Sequence, residues 1–127
     1  MKYALISVAF LLYLAKPVYA KDIALPPPTS PKVDTSSISY IKSRIHNYAT
    51  LYNVSEITML NVIHCESNFN PQANGDNNTS HGLVQIHLSA HPDITHTEAH
   101  DVDFSLNFLA ENLKEGHGNM WACFRQN

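Results

Sequence analysis

From Ile38 onward the apolar positions fall at Ile38, Ile41, Ile45, Tyr48, Ala49 and Tyr52, a three-and-four spacing that predicts an amphipathic helix. Ser36 or Ser37 is placed to cap its start. Ser55 caps a second predicted helix that carries Ile57, Met59, Leu60, Val62 and Ile63 and ends near Ser67. Pro71 disfavours helical backbone at Asn70, so this helix cannot run much further. A third amphipathic stretch covers 102–115, with Leu106, Leu109 and Leu113 on one side and Phe104 and Phe108 beside them. Gly116 is a natural stop. Residues 119–124 suit a last short turn or helix. Only 82–86 reads as strand or tight irregular structure, and the Asn-rich stretch 68–80 reads as loop. No repeats occur. The pattern predicts a mainly α domain with little or no strand.

The N-terminal 35 residues follow different rules. Residues 4–15 are almost wholly apolar, preceded by Lys2 and followed by Val18-Tyr19-Ala20. A basic start, a short apolar run and small residues before a cleavage point describe a secretory signal peptide over 1–20. The run is short for a membrane-spanning helix, which needs about 20 apolar residues, although an uncleaved anchor is the alternative. Four of the six residues Pro26-Pro27-Pro28-Thr29-Ser30-Pro31 are proline, which predicts a linker or tail over 21–35. The remainder, 36–127, is the expected folded domain.

Removal of 1–20 leaves 107 residues, with six basic against eleven acidic side chains and a net charge of −5. Such a chain lacks the basic footprint of a nucleic-acid binder. A domain this small usually gains from a covalent staple. Cys65 and Cys123 are the only cysteines, 58 positions apart, and export would place them in an oxidising compartment. A bridge closing that loop is worth roughly 4 kcal/mol on chain-entropy grounds. Two free thiols or intermolecular pairing are the alternatives.

Glu66 is the first candidate for chemistry. Residues 59, 62, 63 and 66 share one helical face, and the first three are Met59, Val62 and Ile63. A carboxyl on such a face loses solvation, and the partial negative charge of the helix C-terminus also disfavours its ionisation. Both effects raise its pKa, as a general acid requires. A surface glutamate at a frayed helix end is the plainer reading.

The surroundings of Glu66 carry a family resemblance. Glu66-Ser67-Asn68-Phe69-Asn70-Pro71-Gln72-Ala73 is followed, after the Asn-rich loop, by Gly82-Leu83-Val84-Gln85-Ile86. The two segments resemble the Glu-Ser, Phe-x-Pro-x-Ala and Gly-Leu-x-Gln-Ile pattern of the soluble lytic transglycosylase family. A weaker match continues through 103–107 and ends at Trp121-Ala122-Cys123. The resemblance implies a lysozyme-like fold of the α+β lysozyme superfamily, and the expected signal peptide implies export to the periplasm or the outside of the cell. It implies cleavage of the β-1,4 bond between N-acetylmuramic acid and N-acetylglucosamine in peptidoglycan. Glu66 would be the single acid and base, the muramoyl 6-hydroxyl the nucleophile, and a 1,6-anhydro sugar the product. Gln85, Ser67, Gly82, His87 and Asn107 would line or shape the substrate cleft. No cofactor or metal is implied. The partners would be glycan strands and a secretion, conjugation or pilus apparatus, with the chain acting as a monomer.

Departures from the pattern bear on the product. Animal-type lysozymes carry a second carboxylate two residues before the motif glycine, where this chain has Ser80, and goose-type enzymes offer an aspartate where it has His87. Asp76 and Asp93 are the nearby acids, neither obviously placed. The lack of an evident second carboxylate favours transglycosylation over hydrolysis, because most glycosidases need two. Val84 stands for the commoner Met, His81 precedes the glycine, and the downstream Tyr-Asn-Ala-Gly type segment is missing. Trp121 is either a replacement cleft aromatic or core. A lysozyme-type hydrolase and a non-catalytic glycan-binding or assembly protein are the competing functions. The eight histidines include His91, His96 and His100 in one stretch, which read as surface polarity rather than a zinc site.

Overall fold

The computed structural model describes residues 32–126. The signal and most of the linker expectation, 1–31, lie outside the described residues. One compact unit covers Val33–Asn127. It begins slightly before the expected boundary at 36, because Asp34 already organises the chain: Ser36 Oγ donates to its carboxylate and Ser37 Oγ to its carbonyl.

The unit is a small, mostly helical α+β domain. Helix α1 is Ile38–Tyr52, capped by Ser37, whose hydroxyl accepts from the Tyr40 N–H. Ile41, Ile45 and Ala49, four apart, are its buried stripe, whereas Ile38 stays exposed. Helix α2 is Glu56–Ser67, capped by Ser55, with Met59, Val62 and Ile63 fully buried. Both helices end on an asparagine in the left-handed conformation, Asn53 and Asn68.

The stretch expected to be loop contains the first strand and the start of the second of a three-stranded antiparallel meander. Its strands have two residues each: β1 Asn74–Gly75, β2 Ser80–His81 and β3 Ile86–His87. The register sets Asn74 opposite His81, Gly75 opposite Ser80, Ser80 opposite His87 and His81 opposite Ile86. Of residues 82–86, expected as strand or tight irregular structure, 82–85 form the turn between β2 and β3 and Ile86 opens β3. Gly82 and Gln85 both have positive φ, 78° and 51°, which no strand interior accepts.

Helix α3, His96–His100, was not expected from periodicity. Thr95 and Glu98 close a capping box at its start. Helix α4, Val102–Lys114, is capped by Asp101 and buries Val102, Ser105, Leu106, Leu109 and Ala110. Gly116, with φ of 83°, ends it as expected. Two short 3₁₀ helices, Gly118–Met120 and Ala122–Gln126, finish the described chain.

Packing joins these pieces around one core of α1, α2, α4, the meander and Trp121. Arg44 on α1 pairs with Asp103 on α4 at 2.6 Å, and the Tyr52 hydroxyl donates to Asn107 Oδ1 at 2.6 Å. Gly82 sits against α3 so closely that a Cβ there would overlap the Ala99 carbonyl. Ser105 Oγ donates to that same carbonyl at 2.9 Å. Trp121 is held by an indole N–H donated to the Val84 carbonyl at 2.7 Å. Cys65 and Cys123 are bonded to each other, with Cα atoms 6.0 Å apart. The bridge therefore fastens the end of α2 to the last 3₁₀ helix. Among the described residues no helix is long and apolar enough to cross a membrane.

Candidate active-site cleft

Glu66 stands one position beyond Cys65, at the end of the helix face formed by Met59, Val62 and Ile63. Its carboxyl is half-buried and lines a cleft of roughly 490 Å³. The meander supplies Asp76, Ser80, Gln85, Ile86 and His87 to this cleft. The remaining lining is Ala90, His91, Phe108 of α4, Met120, Trp121 and Ala122. Three rings follow one another along it: His91 meets Phe108 edge-on at 5.1 Å, and Phe108 meets Trp121 edge-on at 6.2 Å. Apolar walls with a few convergent polar groups are the common make-up of small-molecule sites. A larger hollow of roughly 600 Å³, where the α1–α2 turn meets the end of α4, contains no carboxylate.

Burial pushes the Glu66 pKa above the ordinary carboxylate value, and the negative charge of Asp76 pushes it the same way. The Cys123 backbone N–H donates to the carboxylate and opposes this rise. Burial is the largest of the three effects. The disulfide thus holds both the helix end that carries Glu66 and the N–H that orients its carboxyl. A half-buried acid of raised pKa retains a proton for transfer closer to neutral pH than a free glutamate does.

The other expected site residues divide into three groups. His87 lies in the cleft, exposed, with Nδ1 3.3 Å from Ser80 Oγ. Gln85 lines the cleft, but its amide N–H₂ donates to the Gly82 carbonyl at 2.9 Å and the Ala73 carbonyl at 3.3 Å. Its side chain packs so tightly on Gly75 that a Cβ there would overlap the Gln85 amide oxygen. Gln85 therefore shapes the hairpin that forms the wall.

Ser67, Gly82 and Asn107 do not line the cleft. Ser67 Oγ donates back to the Ile63 carbonyl at 3.1 Å, within the last turn of α2. Gly82 is buried, and its positive φ serves the close approach to α3 rather than to a ligand. Asn107 accepts from Tyr52 between α4 and α1. Asn107 and Phe108 are neighbours on α4, so their side chains point some 100° apart, and it is Phe108 that reaches the cleft.

Asp76 is the residue whose position the sequence left open. Asp76, Asn77 and Asn78 are successive left-handed residues, with φ of 48°, 56° and 71°. Asp and Asn are the non-glycine residues that best tolerate this conformation. The Asn78 N–H, at 2.8 Å, and the Thr79 N–H, at 3.1 Å, both donate to the Gly75 carbonyl and close the turn. Ser80 Oγ then donates to Asp76 Oδ2 at 2.6 Å. The run of Asp and Asn residues was the available signal for this turn, whereas its approach to Glu66 is a long-range property. A second carboxylate therefore shares the cleft with Glu66, contrary to the expectation from Ser80 and His87 alone.

His96 and His100, read from sequence as surface polarity, form a cluster away from the cleft. The buried His81 ring lies edge-on to His96 at 4.3 Å and to His100 at 5.4 Å. His81 Nδ1 is 2.6 Å from Asn74 Oδ1, and His100 Nε2 is 3.1 Å from the same atom. Among the described residues no group of three or more His, Cys, Asp or Glu side chains is arranged to hold a metal ion. Comparison of the chain with protein-family models, with curated proteins and with solved structures returned no match.

Proposed function

We propose that the protein is a peptidoglycan-cleaving enzyme that uses Glu66 as its general acid on the β-1,4 bond after N-acetylmuramic acid. The observation that carries the reading is a half-buried carboxyl of raised pKa on the wall of an aromatic-lined cleft. The substrate class comes from the resemblance of 66–73 and 82–86 to lytic transglycosylases. In that chemistry Glu66 protonates the glycosidic oxygen, and the C1–O4 bond breaks with its electron pair leaving on oxygen. Glu66 then takes the proton of the muramoyl 6-hydroxyl as that oxygen bonds to C1. The acid is regenerated and a 1,6-anhydro end is formed, with no water consumed. The setting that follows from this reading is local wall opening by an exported monomer, beside a secretion, conjugation or pilus apparatus.

Hydrolysis of the same bond is the second reading, and the presence of Asp76 in the cleft favours it. The two differ by one water in product mass. Digestion of purified sacculi with residues 21–127, followed by mass spectrometry, separates them. Glu66→Gln is the control. Undiminished cleavage by that variant would overturn the role of Glu66 in both readings, and cleavage by neither protein would leave the glycan-binding alternative for the fold.

A further inference from the structure

We propose that Asp76 is a second catalytic carboxylate of the cleft, the base for an attacking water, and that Ser80 and His87 are its positioning residues. The inference rests on the glycan-cleaving reading of Glu66 and decides which product that reading gives.

The observations are geometric. Asp76 and Glu66 line the same cleft, although ten positions and a hairpin turn separate them. Ser80 is buried, and its hydroxyl donates to Asp76 Oδ2 at 2.6 Å. A serine hydroxyl has one proton, so with that proton given to Asp76 it meets His87 Nδ1, 3.3 Å away, as an acceptor. The chain of donors is then His87 Nδ1–H to Ser80 Oγ, and Ser80 Oγ–H to Asp76. The register sets Ser80 and His87 opposite each other, so both project on one face of the meander. Oδ2 of Asp76 is fixed by this chain, which leaves Oδ1 for a water.

The left-handed turn gives the device its aim. Three consecutive left-handed residues carry Asp76 back over Ser80, and Thr79 Oγ1 ties the Asp76 carbonyl at 2.8 Å. Ser80 and His87 occupy the positions at which animal-type and goose-type lysozymes carry a carboxylate. Here they hold one instead of being one.

The step balances with one water as its only added reactant. Glu66 gives its proton to the glycosidic oxygen, and the C1–O4 bond breaks toward that oxygen. The water oxygen bonds to C1, and its proton passes to Asp76. Solvent returns that proton to Glu66, so one water is consumed per bond. Burial and then the charge of Asp76 disfavour ionisation of Glu66, which suits Glu66 to the acid role.

The test is the product distribution from purified sacculi for the wild-type domain, Asp76→Asn, Ser80→Ala and Glu66→Gln. The inference selects the hydrolytic of the two readings above, so the wild type should release mainly reducing-end products. Asp76→Asn should lower their rate of formation by about 10²-fold or more, the usual contribution of a general base. Ser80→Ala should shift the ratio of reducing to anhydro ends toward anhydro at an unchanged thermal midpoint, which a purely structural role would not do. A wild type yielding only anhydro ends, with Asp76→Asn unchanged, would overturn the role of Asp76 and leave that of Glu66 standing. Full cleavage by Glu66→Gln would overturn both.

Discussion

Ser80 and His81 are neighbours on one two-residue strand, yet they serve two different polar clusters. Ser80 faces the cleft with Asp76 and His87, and His81 faces α3 with His96 and His100. The split is the alternation of side chains along a strand. The consequences for protons are opposite in sign and share one cause. Burial raises the pKa of Glu66 in the cleft and lowers that of His81 on the other face. Each group is driven toward its neutral form, because removing a charge from water costs the charged state. In the cleft this favours a carboxyl that keeps its proton to higher pH than a free glutamate does. On the α3 face it leaves a neutral imidazole that cements the meander to a helix. Desolvation alone therefore does not mark a catalytic group. The cleft is distinguished by having an opening and a second charge, Asp76, within reach.

The largest effect that can break this comparison is loss of the disulfide. Replacing Cys65 and Cys123 with serine, or reducing the pair, should lower stability by roughly 4 kcal/mol. Cleavage should fall as well, since the bridge fastens the N–H that orients Glu66. Chemical unfolding and sacculus digestion with and without reductant measure both. A reduced domain with full activity would detach the staple from the site.

Asp76→Asn sharpens the electrostatic side. Removing the negative charge that raises the Glu66 pKa should lower that pKa, so the basic limb of the pH–rate profile should move to lower pH. A limb that stays in place would show that Asp76 does not act on Glu66.

The smallest effect concerns the histidine face. Burial first, then the proximity of His96 and His100, lowers the pKa of His81 below its ordinary 6.5, against a smaller opposing contribution from the Asn78 carbonyl. The unfolded chain then binds this proton before the folded one does. Folding stability contributed by His81 is full above pH 6.5 and falls as the pH drops below it. His81→Gln should flatten this acid-side loss in denaturant titrations between neutral and mildly acid pH. The Glu66 profile should be untouched.

The two faces also differ in how much of them could be read in advance. Helices α1, α2 and α4 follow from apolar spacing, and α1 and α2 also from the caps Ser37 and Ser55, because those signals are local. Glu66 was legible for the same reason, as the last member of a helical stripe. The meander was not, since strands of two residues show no period. Helix α3 was readable only through Thr95-x-x-Glu98, a capping box in a stretch dominated by histidines. Asn107 was misjudged because an amphipathic pattern marks which face is buried without saying whether it meets a cleft or another helix. Asp76 and the pairing of His81 with His96 depend on contacts that no local rule supplies.

The central claim is that Glu66 is a proton donor to a glycosidic bond. Mass spectrometry of purified sacculi treated with residues 21–127, beside the Glu66→Gln variant, tests it most directly. Removing a general acid should cost about 10²–10⁴-fold in rate. The variant should keep or slightly raise its unfolding midpoint, because the charged form of Glu66 is less favoured in the folded protein than in the unfolded one at neutral pH. Soluble muropeptides from the wild type and almost none from a well-folded variant are the predicted result. Equal release from both would contradict the account.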